Sequence, residues 1–318
     1  MNTGRLYKKF IEFRAHICNN FSQSHSSDIQ KGKSEYIDLY KIDGTINLDQ
    51  NDCYTHIETY PNFQSDLSNF KELLSNLVTN GLSKTLYKFG DGDFFFLRGK
   101  KVGSARPGRR AISRELKRNE LRQFRKGSVK SDFYMCELYP ENRRKFKRAL
   151  PRKQIDFPAE FVYGLVANRW IFQEFAGHIG LIGADAKIEL IKKLMQKKSY
   201  QEYLGLEKFS DYISVPQKFA CDDLSSRLSE LEVQLQTATS KIFLVGVGHL
   251  KSGILHKLPE MHEGVYLDVG SGIDAIAGII DQKRPFFGGW INFRFRDQFN
   301  YEKIDFLQYE ESEIVYLD

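Results

Sequence analysis

The chain has 318 residues, of which 41% are hydrophobic and 14% aromatic, and its formal net charge is +6. This length and composition predict one large domain with a buried core, or such a domain with a smaller appendage. The basic balance favours an acidic partner, which could be a nucleotide phosphate, a nucleic acid or an anionic membrane, and does not choose among them.

The spacing of the cysteines and the length of the apolar runs indicate where in the cell the protein is located. The four cysteines are widely spaced and form no CxxC pair, so neither a zinc site nor a disulfide framework is indicated. No run approaches the roughly 18 apolar residues of a membrane span, and the amino terminus has no apolar signal core. We expect a cytoplasmic protein, and peripheral contact of its basic surface with the inner membrane face stays open.

In chain order, residues 1–60 are predicted to form an arm or linker, because 19–33 are rich in Ser, Asn, Gln and Lys. Residues 61–318 are predicted to form the main domain. From Ser65 to Gly81, apolar residues at helical spacing predict a helix. A strand over 85–87 then leads into Gly90-Asp-Gly-Asp93, and the following Phe-Phe-Phe-Leu run predicts a second strand.

The segment 98–130 is strongly basic, with thirteen Lys and Arg residues against two Glu and a net charge of +11. Its Gly and Pro content predicts a loop over 103–110, followed by a helix. We expect the loop, through Arg106, to bind phosphate or an acceptor, and the helix to present a solvated basic face. Nucleic-acid binding is not expected, because the run has no interleaved aromatic platform and no known nucleic-acid motif.

The rest of the chain alternates short apolar runs with helical stretches. Strands are predicted at 133–138, 178–182, 212–215, 241–245 and 265–269, and helices at 143–150, 186–196, 224–238, 252–258 and 273–280. Residues 161–166 are predicted to be a strand or a buried segment. This alternation predicts an α/β, Rossmann-like fold with a mostly parallel sheet and helices on both faces.

In such a sheet the ligand site lies beyond the carboxyl ends of the strands. Four predicted strand ends carry glycines and charged residues, and we expect them along one rim: 90–93, 183–187, 246–251 and 268–274.

Asp91-Gly92-Asp93 is the most chemically specific of these strand ends. Magnesium and manganese prefer oxygen ligands, and nucleotide-handling sites commonly supply one or two carboxylates beside phosphate oxygens and water. Gly92 lets the backbone bend so that both carboxylates reach one ion. The plain alternative is a turn between two strands, for which Asp-Gly is a common signal.

The residues Tyr87-Lys-Phe-Gly-Asp-Gly-Asp-Phe94 resemble the (R/K)-F-G-D-G-E/D-F signature of the GT-D fold glycosyltransferases, metal-dependent enzymes that transfer a sugar from a nucleotide donor. Later segments are similar to that family's strands and turns, and the resemblance covers about 84–290: Gly180–Gly183, Ala186-Lys187, Phe243–Gly248 and Tyr266–Ser271. It implies that Asp91 and Asp93 hold Mn or Mg against the donor diphosphate and that Gly90 and Gly92 shape the turn. Asp93 stands where the family commonly has Glu.

Further candidates follow from the resemblance and from position. Each has a structural alternative, such as an ion pair, a cap or an exposed side chain. The candidates for phosphate, nucleotide or sugar contacts are Lys88, Arg106, Asn168, Lys187, Gly246, Gly248 and His249. His249 is also a candidate for proton transfer, and Asp268 and Asp274 are candidates for the general base that activates an acceptor hydroxyl.

The sequence therefore predicts a glycosyltransferase that moves a sugar from a nucleoside diphosphate sugar, with UDP-sugar favoured, to a glycan, glycolipid or glycoprotein in polysaccharide biosynthesis. A homo-oligomer stays open. One alternative is a non-catalytic nucleotide or nucleic-acid binding module. Another is an S-adenosylmethionine methyltransferase, because Leu267–Gly272 resembles its motif I, but only 46 residues follow Gly272. Gly246–Ser252 suggests a P-loop but has Leu250 in place of a glycine.

Overall fold

The fold is described from a computed structural model, over residues 63–99, 118–137, 140–167, 169–217 and 220–279 and a strand pair at 294–295 and 314–315. The predicted arm over 1–60, Arg106 with its loop, and Asn168 lie outside these residues. The predicted division into arm and domain therefore stays a prediction.

A seven-stranded sheet with the order β3-β2-β1-β7-β6-β4-β5 forms the centre of the fold. Every pairing within it is parallel, as the sequence predicts for strands that alternate with helices. The strands are β1 Lys84–Phe89, β2 Phe133–Cys136, β3 Phe157–Pro158, β4 Ile179–Ala184, β5 Asp211–Val215, β6 Ile242–Gly246 and β7 Val265–Asp268. Two further strands, β8 Arg294–Phe295 and β9 Ile314–Val315, form a separate antiparallel pair.

The helices connect these strands and cover both faces of the sheet. They are α1 Phe63–Thr79, α2 Asp91–Leu97, α3 Arg118–Gly127, α4 Pro140–Ala149, α5 Ala159–Ala167, α6 Trp170–Glu174, α7 Asp185–Met195, α8 Lys198–Leu204, α9 Leu224–Leu235, α10 Lys251–Ile254, α11 Leu258–Met261 and α12 Gly272–Ile276. Short 3-10 turns at Gly248–Leu250 and Leu255–Lys257 precede α10 and α11.

Two hydrophobic cores lie on opposite faces of the sheet, because successive side chains of a strand point to opposite sides. In β1, Leu86 belongs to the first core and Tyr87 to the second. Residues of α1, α5, α7, α8 and α12 fill the first core, and residues of α2, α3, α4, α9, α10 and α11 fill the second. The predicted α/β fold with helices on both faces is therefore confirmed.

The predicted strand after Gly90-Asp-Gly-Asp93 is wrong, because Phe94–Leu97 belongs to α2. The carboxylate of Asp93 accepts a hydrogen bond from the Gly90 N–H, which starts a helix directly after β1. Phe96 and Leu97 then enter the second core, while Phe94 and Phe95 stay half-buried. An apolar run of four residues fits either a strand or one buried turn of helix, so its pattern does not separate the two.

The strand reading of 161–166 is also wrong, because these residues form most of α5. From Phe161 to Val166 every described side chain except the glycine position is an apolar or aromatic group in the first core. The helix contacts α1, α6 and α12. Since it is covered on several sides, its sequence has no polar stripe to reveal the helical period. The helices α6 and α8 and the short strand β3 were not predicted.

The direction of the chain changes at the centre of the sheet. After β1 the chain passes to the second face, where α2 lies, and after the adjacent β7 it passes to the first face, where α12 lies. Such a switch point opens a crevice at the carboxyl ends of the two strands. Among the described residues, no helix is both long enough and apolar enough to cross a membrane.

Candidate active site at the carboxyl edge of the sheet

The Gly-Asp-Gly-Asp segment lies at the carboxyl end of β1 and starts α2. Gly90 is extended, with φ −111° and ψ 170°, and its N–H donates to Asp93 Oδ2 at 2.8 Å. The Asp93 N–H in turn donates to the Gly90 carbonyl at 3.1 Å. These reciprocal bonds fix the Asp93 side chain against the first turn of the helix, where it is 3% exposed.

A buried lysine from α10 meets this carboxylate. Lys251 Nζ lies 3.1 Å from Asp93 Oδ2 and 2.7 Å from Asp268 Oδ2, and it donates to the Lys88 carbonyl oxygen. It also lies 4.7 Å from the centre of the Tyr87 ring. Burial lowers the pKa of Lys251, but Asp268 and Asp93 outweigh it, and the pKa is raised. The lysine therefore stays charged and joins three elements at the edge of the sheet.

Asp268, at the end of β7, is the second carboxylate on this lysine. Its Oδ2 also accepts the Lys88 N–H at 3.0 Å, and its Oδ1 accepts the Gly270 N–H at 3.0 Å. Only 1% of the residue is exposed. With both oxygens occupied and no access to solvent, Asp268 holds β1, β7 and the turn at Gly270 together. Its predicted role as general base stays a prediction, and these contacts favour a positioning role.

His249 lies on the outer side of the same cluster. Its Nδ1 is 3.4 Å from Asp93 Oδ1, and its ring stacks on Phe96 with centroids 4.7 Å apart and an interplanar angle of 5°. The side chain is 24% exposed, against 4% for the side chain of Asp93. Because Nδ1 faces the carboxylate, Nε2 is directed away from it. His249 is thus the member of the cluster that can touch a ligand.

The Asp93 carboxylate is strongly stabilised in its charged form. Burial alone would raise the pKa of Asp93. Lys251, His249 and the Gly90 N–H lower it by more, so the net pKa lies well below the usual range. Tyr87 extends the cluster inward, since its hydroxyl lies 2.8 Å from Ser252 Oγ. We call Asp93, His249, Lys251, Asp268 and Tyr87 the buried charge cluster.

Lys88 points to the other face of the sheet. Its Nζ lies 4.6 Å from the centre of the Tyr163 ring, and the Tyr163 hydroxyl donates to Glu137 at 3.4 Å. Burial lowers the pKa of Lys88, but Tyr163, Glu137 and Asp268 raise it to a net value above normal. A Cβ atom at Gly270 would come within 3.2 Å of Lys88 Nζ, so this glycine leaves room for the lysine beside the β7 turn.

Two other predicted residues pair with each other. Lys187 Nζ, in the first turn of α7, lies 2.6 Å from Asp274 Oδ1 in α12, with the side chains 11% and 23% exposed. Neither residue is part of the buried charge cluster. The ion pair joins the helices that follow β4 and β7, so the rim carries two separate groups of predicted residues.

The glycines after β6 differ in role. A Cβ atom at Gly246 would lie 2.3 Å from Cγ2 of Ile273, so the residue gives α12 a close approach to β6. Gly248 has φ +57°, a left-handed conformation that favours glycine, and nothing lies within 4 Å of its missing side chain. Gly246 therefore serves packing, and Gly248 allows the turn that presents His249.

Lys251 is the residue that sequence reasoning did not assign to the site. It lies at the end of the predicted rim segment 246–251 and at the lysine position of a P-loop pattern that fails at Leu250, but neither prediction gives it a partner. A lysine just after an apolar strand and a glycine turn is a usable signal. Its partners on α2 and β7 become apparent only when the strands are placed side by side.

A divalent cation is the group that the Gly-Asp-Gly-Asp resemblance implies. Within the described ranges, no three His, Cys, Asp or Glu side chains converge as ligands. Asp93 is already bonded to Lys251 and the Gly90 N–H, which does not fit direct ligation of an ion. Asp91 is the first residue of α2, and its side chain lies outside what the structure describes.

Fold and site together define an α/β protein with a doubly wound parallel sheet and a buried charge cluster at its switch point. No family model matches the chain, and no curated protein matches it. Among solved structures it is similar to "A New Glycosyltransferase (DUF1792) from Streptococcus sanguinis", with a TM-score of 0.44 and 11% identity over 78% of this chain and 92% of that one. At this level the similarity carries no inference about function, which has to come from the residues of the site.

Proposed function

We propose that the chain is a glycosyltransferase that uses a nucleoside diphosphate sugar, with UDP-sugar favoured, and a glycan, glycolipid or glycoprotein acceptor. The observation that carries the proposal is the position of Gly90–Asp93 at the switch point between β1 and β7. Ligands of doubly wound sheets bind in that crevice. The likeness of this segment to the GT-D signature supports a sugar nucleotide as the ligand.

In this proposal the donor diphosphate lies over the crevice, next to the start of α2. His249 offers Nε2 to a phosphate oxygen or to the acceptor hydroxyl, since Asp93 and the Phe96 ring hold the imidazole in one orientation. Lys88 contributes positive charge beside Gly270. Lys251 does not touch the donor; it keeps Asp93 and Asp268 charged and fixed, and thereby positions His249.

We assign the divalent cation, Mn or Mg, to Asp91 together with diphosphate oxygens and water. One carboxylate with substrate phosphates is a common way in which proteins hold Mg²⁺. A bound cation would supply charge stabilisation for the departing diphosphate. In this assignment Asp93 acts on the start of α2 rather than on the ion.

The acceptor hydroxyl needs a base, and Asp274 is the carboxylate that we propose for it. It is more exposed than Asp268, although Lys187 pairs with it. Asp268 has neither a free oxygen nor exposure, so we assign it a positioning role.

The test is a thermal-shift and calorimetric titration with a panel of nucleoside diphosphate sugars, each with and without Mn, and with S-adenosylmethionine. A ligand that binds the native state raises the melting temperature. We expect a UDP-sugar to do so, more strongly with Mn, and Asp91→Asn to remove the Mn-dependent part. Glu189→Gln, on the exposed face of α7, is the matched control and should behave like the wild type.

The possible results test the metal site, the sugar-nucleotide donor and the catalytic activity separately. Equal UDP-sugar binding with and without Mn, unchanged in Asp91→Asn, would contradict the metal site and leave the donor assignment standing. A shift with S-adenosylmethionine alone would contradict glycosyl transfer. Binding followed by slow hydrolysis of the sugar nucleotide would separate an enzyme from a non-catalytic binding module.

A further inference from the structure

Two helices that flank the candidate site are strongly basic. Helix α3 has four basic residues and one acidic residue, and α4 has five basic residues and one acidic residue. Together they carry a net charge of +7, whereas the whole chain carries +6. The other 298 residues therefore sum to about −1. A further net charge of +7 lies in 98–117, directly before α3, so the two helices are the described part of a longer basic region.

Both helices face outward from the same side of the sheet. Phe124 of α3 and Phe146 of α4 enter the second core, and both helices contact α2, which lies between them. Their outer sides carry six exposed cations, which we call the basic face: Arg118, Arg122, Lys126, Arg144, Lys147 and Arg148. It adjoins the helix that begins with the Gly-Asp-Gly-Asp segment.

The basic face differs from the other charged helical surfaces. Elsewhere exposed cations pair with a carboxylate one turn away, as Lys192 does with Glu189, Lys198 with Glu202 and Lys257 with Glu260. Among the described residues, no ion pair involves a member of the basic face. An ordinary solvated helix face mixes the two signs of charge, so this arrangement indicates an anionic partner.

Two aromatic side chains lie between the helices. Phe94 and Phe95 of α2 are half-buried and contact each other edge to face, with centroids 5.4 Å apart. The Arg98 guanidinium lies 5.3 Å from the centre of the Phe94 ring, and Lys145 Nζ lies 5.7 Å from that of Phe95. The exposed parts of the rings remain available to an apolar or interfacial environment.

We propose that the basic face docks the protein on an anionic phospholipid membrane. Many unpaired cations spread over the two helices beside α2 fit a surface of many negative headgroups better than one small ligand. Each Lys or Arg near such a surface strengthens binding by roughly fivefold, equivalent to about 1 kcal/mol. Docking would bring the start of α2 close to lipid-anchored acceptors, a consequence that rests on the proposed function.

The test measures cosedimentation of the full chain with vesicles at low and moderate salt. One set of vesicles contains phosphatidylglycerol and phosphatidylcholine, and the other contains phosphatidylcholine alone. The variant Arg122→Gln/Lys126→Gln/Arg144→Gln/Lys147→Gln removes four charges from the basic face. The matched control Lys192→Gln/Lys198→Gln/Lys208→Gln/Lys241→Gln removes four exposed charges elsewhere. Circular dichroism and thermal unfolding show that both proteins are folded.

We expect the wild type and the control to bind the anionic vesicles, with little binding to the neutral ones and weaker binding as salt rises. The variant of the basic face should bind at least roughly tenfold more weakly. Equal binding by both quadruple variants, or no wild-type binding, would overturn the proposal. The proposal would also be overturned if the protein bound a single-stranded RNA more tightly than the anionic vesicles and the vesicles did not displace that RNA. None of these results depends on whether UDP-sugars bind.

Discussion

Lys251 Nζ lies 2.7 Å from Asp268 Oδ2, and this contact joins a residue just after β6 to the last residue of β7. The same nitrogen reaches Asp93 at the start of α2. One buried lysine thus balances two buried carboxylates from different elements. Since all three groups are shielded from water, removing the lysine would leave two buried carboxylates without their cation. This side chain therefore couples the stability of the protein to the arrangement of β1, β7 and α2 at the edge of the sheet.

The first prediction concerns that lysine. Lys251→Met keeps much of the length of the side chain but leaves Asp93 and Asp268 without their cation, and we expect a loss of about 3–5 kcal/mol in the free energy of unfolding. Lys257→Met, on the exposed pair with Glu260, should cost within about 1 kcal/mol. Urea denaturation measures both. A Lys251→Met protein as stable as Lys257→Met would contradict the buried charge cluster.

The second prediction concerns pH. The pKa of Asp93 is lower in the folded protein than in the unfolded chain, so its contribution to stability is present above the unfolded value of about 3.9 and is lost as the pH falls below it. We therefore expect Asp93→Asn to be less stable than the wild type at pH 7, with a difference that shrinks towards pH 3.

Urea denaturation at the two pH values tests this sign. The control is Glu232→Gln, which removes an exposed carboxylate of α9 and should show a small difference from the wild type at both pH values. A difference for Asp93→Asn that stays constant or grows on acidification would show that the carboxylate is not stabilised in its charged form.

The third prediction concerns the contact between β6 and α12. A Cβ atom at Gly246 would lie 2.4 Å from Cβ of Ile273, so Gly246→Ala should displace α12 and cost about 1–3 kcal/mol. Combining it with Ile273→Gly removes the three atoms nearest the new Cβ, which are Cβ, Cγ1 and Cγ2 of Ile273. The double variant should be more stable than the sum of the two single effects by about 1 kcal/mol or more. Simple additivity in thermal or urea unfolding would argue against the close approach.

The fourth prediction concerns His249 and depends on the proposed donor. His249→Ala removes the accessible imidazole, so we expect the affinity for UDP to fall about tenfold, the value of one hydrogen bond to a charged group. Calorimetric titration measures it. His178→Ala, which changes an exposed histidine beside β4, should bind UDP like the wild type. Equal affinities in the two variants would remove His249 from the ligand contacts while leaving the donor assignment to other residues.

Much of the fold follows from the sequence alone. The apolar runs of β4, β6 and β7 stand between helical stretches, and this local periodicity predicts a parallel sheet with two covered faces. The same periodicity fails where an element is buried on several sides, as in α5, or is only two turns long, as in α2. In both places the structure depends on neighbours that are distant in the chain.

For the site, the sequence determined which residues stand at strand ends: Gly90 to Asp93 after β1, His249 after β6, and Asp268 at the end of β7. Only the tertiary structure decided their contacts, because charge pairing depends on strand order. The placement of β7 between β1 and β6 brings Lys251 close to Asp93 and Asp268. Asp274 lies apart from this cluster and pairs with Lys187 instead. The sequence specifies which residues are present at the strand ends, but the distances between their side chains depend on the order in which the strands pair.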